Sequence, residues 1–296
     1  MTNKNIRFSQ NFLKSRDLVK SLVSESSITP SDTVYEIGPG RGIITAELIK
    51  KSKKVIAIEA DQKLHERLQE TFSDTSNLSL IFGDFLAEKL STRPYKIFSN
   101  IPFNRTSEII RKLFEGDNPP SDSYLFLQRE AALKIGGKLL GGRETQLSTL
   151  LMPWFETEVV YRFKRSDFSP IPAVDVVLLR LNKREKPLIS KDSRSEYRDF
   201  VFYGFNSFKE NLKKGFEDIF SYAQFKRLAK DLDFSLKALP SELDSTQWLG
   251  LFNYYNNSVD PKKRLLVKGT EEKQKFQHTG IIKINRTSIA KDWLGK

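Results

Sequence analysis

Short apolar, β-branched runs alternate with stretches of helical spacing through the first half of the chain. Residues 33–37 (Thr-Val-Tyr-Glu-Ile) read as a buried strand that ends in glycines. Over 43–51 the apolar positions Ile43, Ile44, Ala46, Leu48 and Ile49 fall at helical spacing. The alternation continues with a strand at 54–59, a helix at 61–72, a strand at 78–82 ending at Gly83-Asp84, a strand at 96–99 ending at Asn100, and a strand at 123–127. Strands separated by helices predict an α/β fold with a mostly parallel, Rossmann-like sheet. Two more strands are predicted over 157–163 and 175–181. Only 164–174 lies between them, with Pro170 and Pro172, which suits an antiparallel pair rather than a crossover helix. The sheet should therefore have seven strands, the last antiparallel.

After Leu181 the pattern changes. Lys183-Arg184-Glu185-Lys186-Pro187 reads as a linker, and from 195 to 255 no strand run appears. Tyr197, Phe200, Val201, Gly204 and Phe205, then Leu212, Phe216, Ile219 and Phe220, fall at helical spacing, as do positions up to Tyr255. The predicted division is 1–182, a small all-helical domain at 183–258, and an extension at 259–296 with no clear period.

Composition narrows the chemistry. Cysteine is absent and there are two histidines, His65 and His278, so thiol nucleophiles, disulfides and a histidine-rich metal site are not expected. No window approaches about 18 uncharged apolar residues, so no membrane span is expected. The polar, basic start has no apolar signal core. These features point to a cytoplasmic protein. The net charge is +12, and residues 1–20 and 259–296 supply ten of those twelve charges. Basic ends point to a phosphate-rich partner, though a solvated surface has the same composition.

The strongest local signal is Glu36-Ile37-Gly38-Pro39-Gly40-Arg41-Gly42, a strand that turns on glycines into a helix. Glycines at 38, 40 and 42 do not match the dinucleotide fingerprint, and Glu36 would repel a phosphate. An acid beside such a turn suits a ligand with a cationic end, such as S-adenosylmethionine. Glu59, 17 residues beyond Gly42 with Ala60 beside it, is placed to take ribose hydroxyls. Asp61 reads as the cap of the next helix. Asp84 can accept from an adenine amine, with Phe85 nearby for stacking. Three acids in order at the carboxyl ends of successive strands mark a ligand-binding edge. Asn100-Ile101-Pro102-Phe103 ends the fourth strand beside that edge. It offers an amide and a backbone carbonyl to an amine, and an aromatic face to a flipped base.

With these motifs together, the chain resembles the ribosomal RNA adenine N6-methyltransferases over about residues 5–258. That family holds both the housekeeping adenine dimethyltransferases and the macrolide-resistance (Erm-type) enzymes. Ser9-Gln10-Asn11-Phe12-Leu13 resembles its N-terminal motif, so Gln10, Asn11 and Leu13 are implied to contact the methionine part of the cofactor. Glu36–Gly42 resembles its glycine loop, Glu59 its ribose acid, Gly83-Asp84-Phe85 its adenine motif and Asn100–Phe103 its catalytic tetrapeptide, with Asn100 also near the cofactor. Phe168 to Asp175 resembles its late aromatic–proline motif, which implies that Phe168 stacks on the target base. Phe208 to Phe216 sits where the family has a basic helix. Phe103 replaces a frequent tyrosine, Val176 a frequent serine, and Lys209 and Glu210 the usual arginines.

The resemblance implies transfer of a methyl group from S-adenosylmethionine to adenine N6, without a metal, by a monomer acting on ribosomal RNA. Residues 146–156 and the basic extension look more like the Erm-type branch. That favours 23S RNA and resistance to macrolide, lincosamide and streptogramin B antibiotics. The alternatives are a small-subunit housekeeping dimethyltransferase and a non-catalytic RNA-binding relative. Lys4, Arg7, Lys14, Lys262, Lys263, Arg264 and Lys268 are the expected phosphate contacts.

Overall fold

A seven-stranded sheet organises the first part of the computed structural model, which describes residues 11–207 and 209–279. Its strands are β1 Thr33–Ile37, β2 Lys54–Glu59, β3 Leu78–Phe82, β4 Lys96–Asn100, β5 Asp122–Gln128, β6 Phe155–Arg162 and β7 Val176–Lys183. They lie in the order β3-β2-β1-β4-β5-β7-β6. β1 to β5 pair in parallel, and β7 runs antiparallel to both β5 and β6. The expected short antiparallel return is thus present. β6 begins two residues earlier than the sequence suggests, because Phe155 is buried and already paired with Lys183.

Helices α1 Arg16–Glu25, α2 Thr45–Lys51, α3 Gln62–Thr71, α4 Thr106–Glu115, α5 Arg129–Gly136 and α6 Gln146–Leu151 flank the sheet. Alternate strand residues feed two core layers. Tyr35, Ile37 and Ile97 pack with Ile109, Ile110 and Leu113 of α4. Val34, Val55 and Phe98 pack with Val19 and Leu22 of α1 and Leu48 of α2. Burial on both faces explains why these strands read as continuous apolar runs rather than alternating ones.

The chain divides into two compact units between Ser190 and Lys191, later than the boundary expected at 182. The supposed linker belongs to the first unit. Arg184 N–H donates to the Trp154 carbonyl (2.8 Å), Leu188 N–H to the Pro153 carbonyl (2.9 Å), and Ile189 is buried.

The second unit contains α7 Arg194–Phe205, α8 Leu212–Gly215, α9 Tyr222–Asp231 and α10 Ser245–Ser258. Its core is aromatic. Phe200 lies 4.8 Å from both Phe216 and Tyr255, with Trp248 edge-on at 6.1 Å. Phe208, at the head of the expected basic helix, lies outside the described residues.

The extension expected from 259 is corrected as far as 279. Two helices form there, α11 Pro261–Arg264 and α12 Thr270–Thr279. Val267 is fully buried, and the Asp199 carboxylate accepts from the N–H groups of Gly269 (2.8 Å) and Glu271 (2.9 Å). Arg198 also makes a two-pronged ion pair with Glu271, at 2.5 and 2.7 Å. Each helix is short and Gly269 interrupts them at φ +76°, so no single period spans the stretch.

Candidate active site

The strand order reverses between β1 and β4, the place where open α/β sheets bind ligands. The β1–β4 ladder covers only Val34–Lys96 and Tyr35–Ile97. Beyond it the Ser99 hydroxyl bridges the strands, donating to the Ile37 carbonyl (2.7 Å) and accepting from Ile37 N–H (3.1 Å). The crevice opens just past this bridge.

Gly38, Gly40 and Gly42 all have left-handed backbone, with φ of +67°, +59° and +78°. Two of them also have no room for a side chain. A Cβ on Gly40 would lie 2.6 Å from the Phe12 ring, and one on Gly42 would lie 2.7 Å from Phe72. The loop is thus packed against the N-terminal segment on one side and α3 on the other. The Arg41 guanidinium lies 4.8 Å over the Phe12 ring.

Each of the three acids is held by donors. Glu36 is buried, and one oxygen accepts from the Thr45 hydroxyl at 2.6 Å. Burial pushes its carboxyl up to about 8; the Thr45 bond opposes this and the nearby Glu59 charge adds to it. A ligand ammonium or sulfonium placed beside it would restore the ionised form. Glu59, also buried, accepts from Gly40 N–H (2.9 Å) through one oxygen and from Asp61 N–H (3.0 Å) through the other. Asp61 caps α3, as expected, by accepting from Leu64 N–H. Asp84 accepts from Leu86 N–H (2.9 Å) and from Arg105 Nη1 (2.8 Å). Partial burial works against its ionised form, but these two donors hold its carboxyl below the ordinary range.

The crevice has two adjoining parts. One is lined by Asn11, Phe12, Leu13, Glu36, the glycine loop and Asn100–Phe103. The other is lined by Glu59, Ala60, Asp84, Phe85 and Arg105, and Gly38 and Pro102 border both. Asn100 donates its Nδ2 to the Asn11 carbonyl (2.8 Å), which turns its Oδ1 to the remaining acceptor position. Ile101 is buried and anchors the tetrapeptide. The Pro102 carbonyl accepts from Arg105 N–H (3.0 Å), closing a short turn that starts at Phe103.

Two aromatic expectations need correction. Phe168 is fully buried and packs edge-on against Phe163 at 5.4 Å. Its two-residue strand pairs with Phe12–Leu13, which turns the ring into the core and away from the crevice. Phe85 is likewise a core residue, with Lys112 Nζ 5.0 Å from its ring centre. It forms wall rather than an open stacking face.

The expected phosphate contacts also divide. Lys4 and Arg7, like the cofactor candidate Gln10, lie outside the described residues. Lys14, Lys262 and Lys268 are exposed. Lys263 Nζ donates to the Ile219 carbonyl (3.3 Å) and Arg264 Nη1 to the Asn256 carbonyl (3.2 Å), so both serve to dock the extension. Thr45, Ser99 and Arg105 are the site residues that motif reading misses. Ser99 looks like any strand residue and Thr45 like any helix residue. Arg105, by contrast, is the first base after the tetrapeptide and could have been noticed. Among the described residues no cluster of His, Cys, Asp and Glu could hold a metal, and no helix is long and apolar enough to cross a membrane.

This strand order, with acids on three successive strand ends and a glycine loop at the switch point, defines a Rossmann-like methyltransferase. Residues 1–257 match the family described as ribosomal RNA adenine dimethylase, and the chain belongs to it: it is an S-adenosylmethionine-dependent rRNA adenine N6-methyltransferase. It is 32% identical over 258 residues to the rRNA adenine N-6-methyltransferase of Lysinibacillus sphaericus, covering 86% of this chain and 98% of that one. It is 30% identical over 271 residues to the ribosomal RNA small subunit methyltransferase A of Acaryochloris marina, covering 87% and 97%. The crystal structure of the 23S rRNA methyltransferase ErmE matches with a TM-score of 0.76 at 27% identity, covering 83% of this chain and all of that one.

Proposed function

We propose that the chain methylates N6 of an adenine in 23S ribosomal RNA in the cytoplasm, as a monomer, and so confers resistance to macrolide, lincosamide and streptogramin B antibiotics. The observation that carries the chemistry is Asn100, whose amide nitrogen is tied to the Asn11 carbonyl so that its oxygen is left for an incoming amine. When bound, S-adenosylmethionine supplies an electrophilic methyl group. The buried Glu36 takes the cationic end, Glu59 the ribose hydroxyls and Asp84 the adenine amine.

The N6 lone pair of the target adenine is delocalised into its ring and is a poor nucleophile. Accepting hydrogen bonds from that amine, at Asn100 Oδ1 and the Ile101 or Pro102 carbonyl, draws the nitrogen toward tetrahedral geometry. The Pro102 carbonyl accepts one bond in the turn and keeps a second lone pair for the amine. Phe103 offers the stacking face. No strong base is needed, since the amine becomes acidic only as the new bond forms. Positioning carries the rate, and oriented reactants gain about 7–11 kcal/mol.

The 23S target is favoured by the ErmE match over the whole of that chain. A small-subunit target is the second reading, favoured by the Acaryochloris marina relative. Primer extension on 23S and 16S RNA from cells with and without the protein decides between them. A new stop in 23S together with macrolide resistance is expected. New methylation in 16S alone would establish the second reading. Because a monomethylated adenine still pairs and gives no stop, both readings are sunk only if mass spectrometry of the digested RNAs also finds no new N6-methyladenine in either.

A further inference from the structure

Helix α4 and the turn before it brace the loop that follows β3. Lys112 Nζ donates to the carbonyls of Phe85 (2.6 Å), Leu86 (3.0 Å) and Glu88. Seven residues earlier, Arg105 places Nη1 on Asp84 Oδ2 (2.8 Å) and Nε on Glu108 Oε2 (3.2 Å). Arg105 also lines the part of the crevice shared by Glu59, Ala60 and Asp84. Its own N–H is fixed on the Pro102 carbonyl, so its backbone is set by the tetrapeptide turn.

Asp84 has two oxygens, one fixed by Leu86 N–H and the other by Arg105. Together these donors set the plane of the carboxylate, whose side chain is half-exposed and would otherwise rotate. Each oxygen still has a second lone-pair direction for an incoming amine. The planar guanidinium suits this task better than a lysine, because its fork spans Asp84 and Glu108 together.

We propose that Arg105 is a positioning residue that orients Asp84 to accept a hydrogen bond from the cofactor's adenine amine, so that this cation, outside the glycine loop and the acidic strand ends, sets the enzyme's preference for an adenine base. The inference rests on the reading of Asp84 given under Proposed function. It separates from a plain surface ion pair, which would contribute little, and from a folding role, which would weaken every ligand alike.

The test is calorimetric titration of the full chain with S-adenosylhomocysteine and with S-inosylhomocysteine, in which a carbonyl replaces the adenine amine. Arg105→Met should weaken S-adenosylhomocysteine about 10-fold and leave S-inosylhomocysteine within about 2-fold. Asp84→Asn should also weaken the adenosyl ligand. Arg105→Lys, which keeps the charge and perturbs packing least but cannot span Asp84 and Glu108 together, should weaken S-adenosylhomocysteine alone by a smaller factor, and serves where the Met variant does not fold. If Asp84→Asn leaves the adenosyl ligand unaffected, the adenine reading of Asp84 fails and the proposal with it. If Asp84→Asn weakens binding but the Arg105 variants do not, or weaken both ligands equally, the role of Arg105 fails alone.

Discussion

Divided by proposed task rather than by shape, the crevice has a cofactor half, made of the three acids and the glycine loop, and a target half, made of Asn100–Phe103, and the two are built differently. In the cofactor half every acid is fixed before any ligand arrives: Glu36 by the Thr45 hydroxyl, Glu59 by two backbone N–H groups, Asp84 by one N–H and Arg105. In the target half one side-chain bond, from Asn100 to the Asn11 carbonyl, orients the amide proposed to accept from the target amine. Phe103 is present there, but Phe168 is turned into the core. The difference shows where preorganisation comes from. Strand ends inherit their positions from a parallel ladder that is buried on both faces, whereas the tetrapeptide depends on a short N-terminal segment laid across it.

That contrast is broken most severely at Asn100. Asn100→Ala is expected to reduce turnover by a factor corresponding to about 2.7–4 kcal/mol, the scale of losing a hydrogen bond made chiefly in the transition state. S-adenosylhomocysteine affinity should stay nearly intact, since the cofactor half stands without it. Normal turnover in the variant would remove Asn100 from the chemistry, and a large loss of cofactor affinity would show that the two halves are not separable.

Glu36 tests how far the cofactor half is preset for a cation. Its carboxyl titrates at about 8 in the folded chain against 4.5 ordinarily, so the folded state holds an extra proton between those values. Stability of the ligand-free chain should therefore fall as pH rises through this window, by up to about 1.4 kcal/mol per pH unit, and level off above it. Glu36→Gln should remove that component from a series of thermal melts. Binding of S-adenosylhomocysteine near neutral pH should also release close to ~1 proton in the wild type and none from this position in the variant. Identical pH profiles for the two proteins would place the titration elsewhere.

Gly40 tests the same half sterically. Gly40→Ala puts a methyl at φ +59° and 2.6 Å from Phe12, so Phe12 must move. We expect a loss of about 1–2 kcal/mol in stability, together with weaker cofactor binding, since Phe12 lines the crevice. A variant with wild-type melting and affinity would show that Phe12 is not packed on the loop in solution.

Much of this was legible because the informative residues sit where the backbone alone dictates their place. Glycines at 38, 40 and 42, acids at 36, 59 and 84, and Asn100 all fall at strand ends. The order of strands and helices was therefore enough to bring them to one edge. What was not legible depends on tertiary pairing. Nothing local says that Phe168 pairs beside Phe12–Leu13 and turns inward, or that Ser99 replaces a ladder bond where β1 and β4 separate. The helices after 259 escaped for a related reason. They are short, and what orders them is distant in sequence: Asp199 and Arg198, about 70 residues away.

The smallest expected effect concerns the extension, where the structure changes which bases are informative. Truncation at 258 would remove the buried Val267 and the partners of Arg198 and Asp199, so its effect on RNA binding would be mixed with loss of stability. Lys262 and Lys268 are exposed, whereas Lys263 and Arg264 are engaged on backbone carbonyls. Lys262→Ala with Lys268→Ala should therefore lower the log–log salt slope of RNA binding by roughly 0.7–0.9 for each phosphate no longer neutralised, with melting temperature and cofactor affinity unchanged. Lys263→Ala with Arg264→Ala should do the reverse, lowering the melting temperature with little change in slope. If the Lys262 and Lys268 variant keeps the wild-type slope, the extension does not touch RNA. The electrostatic contribution then belongs to Lys14 and the other bases near the start of the chain, and α11 and α12 serve the helical unit alone.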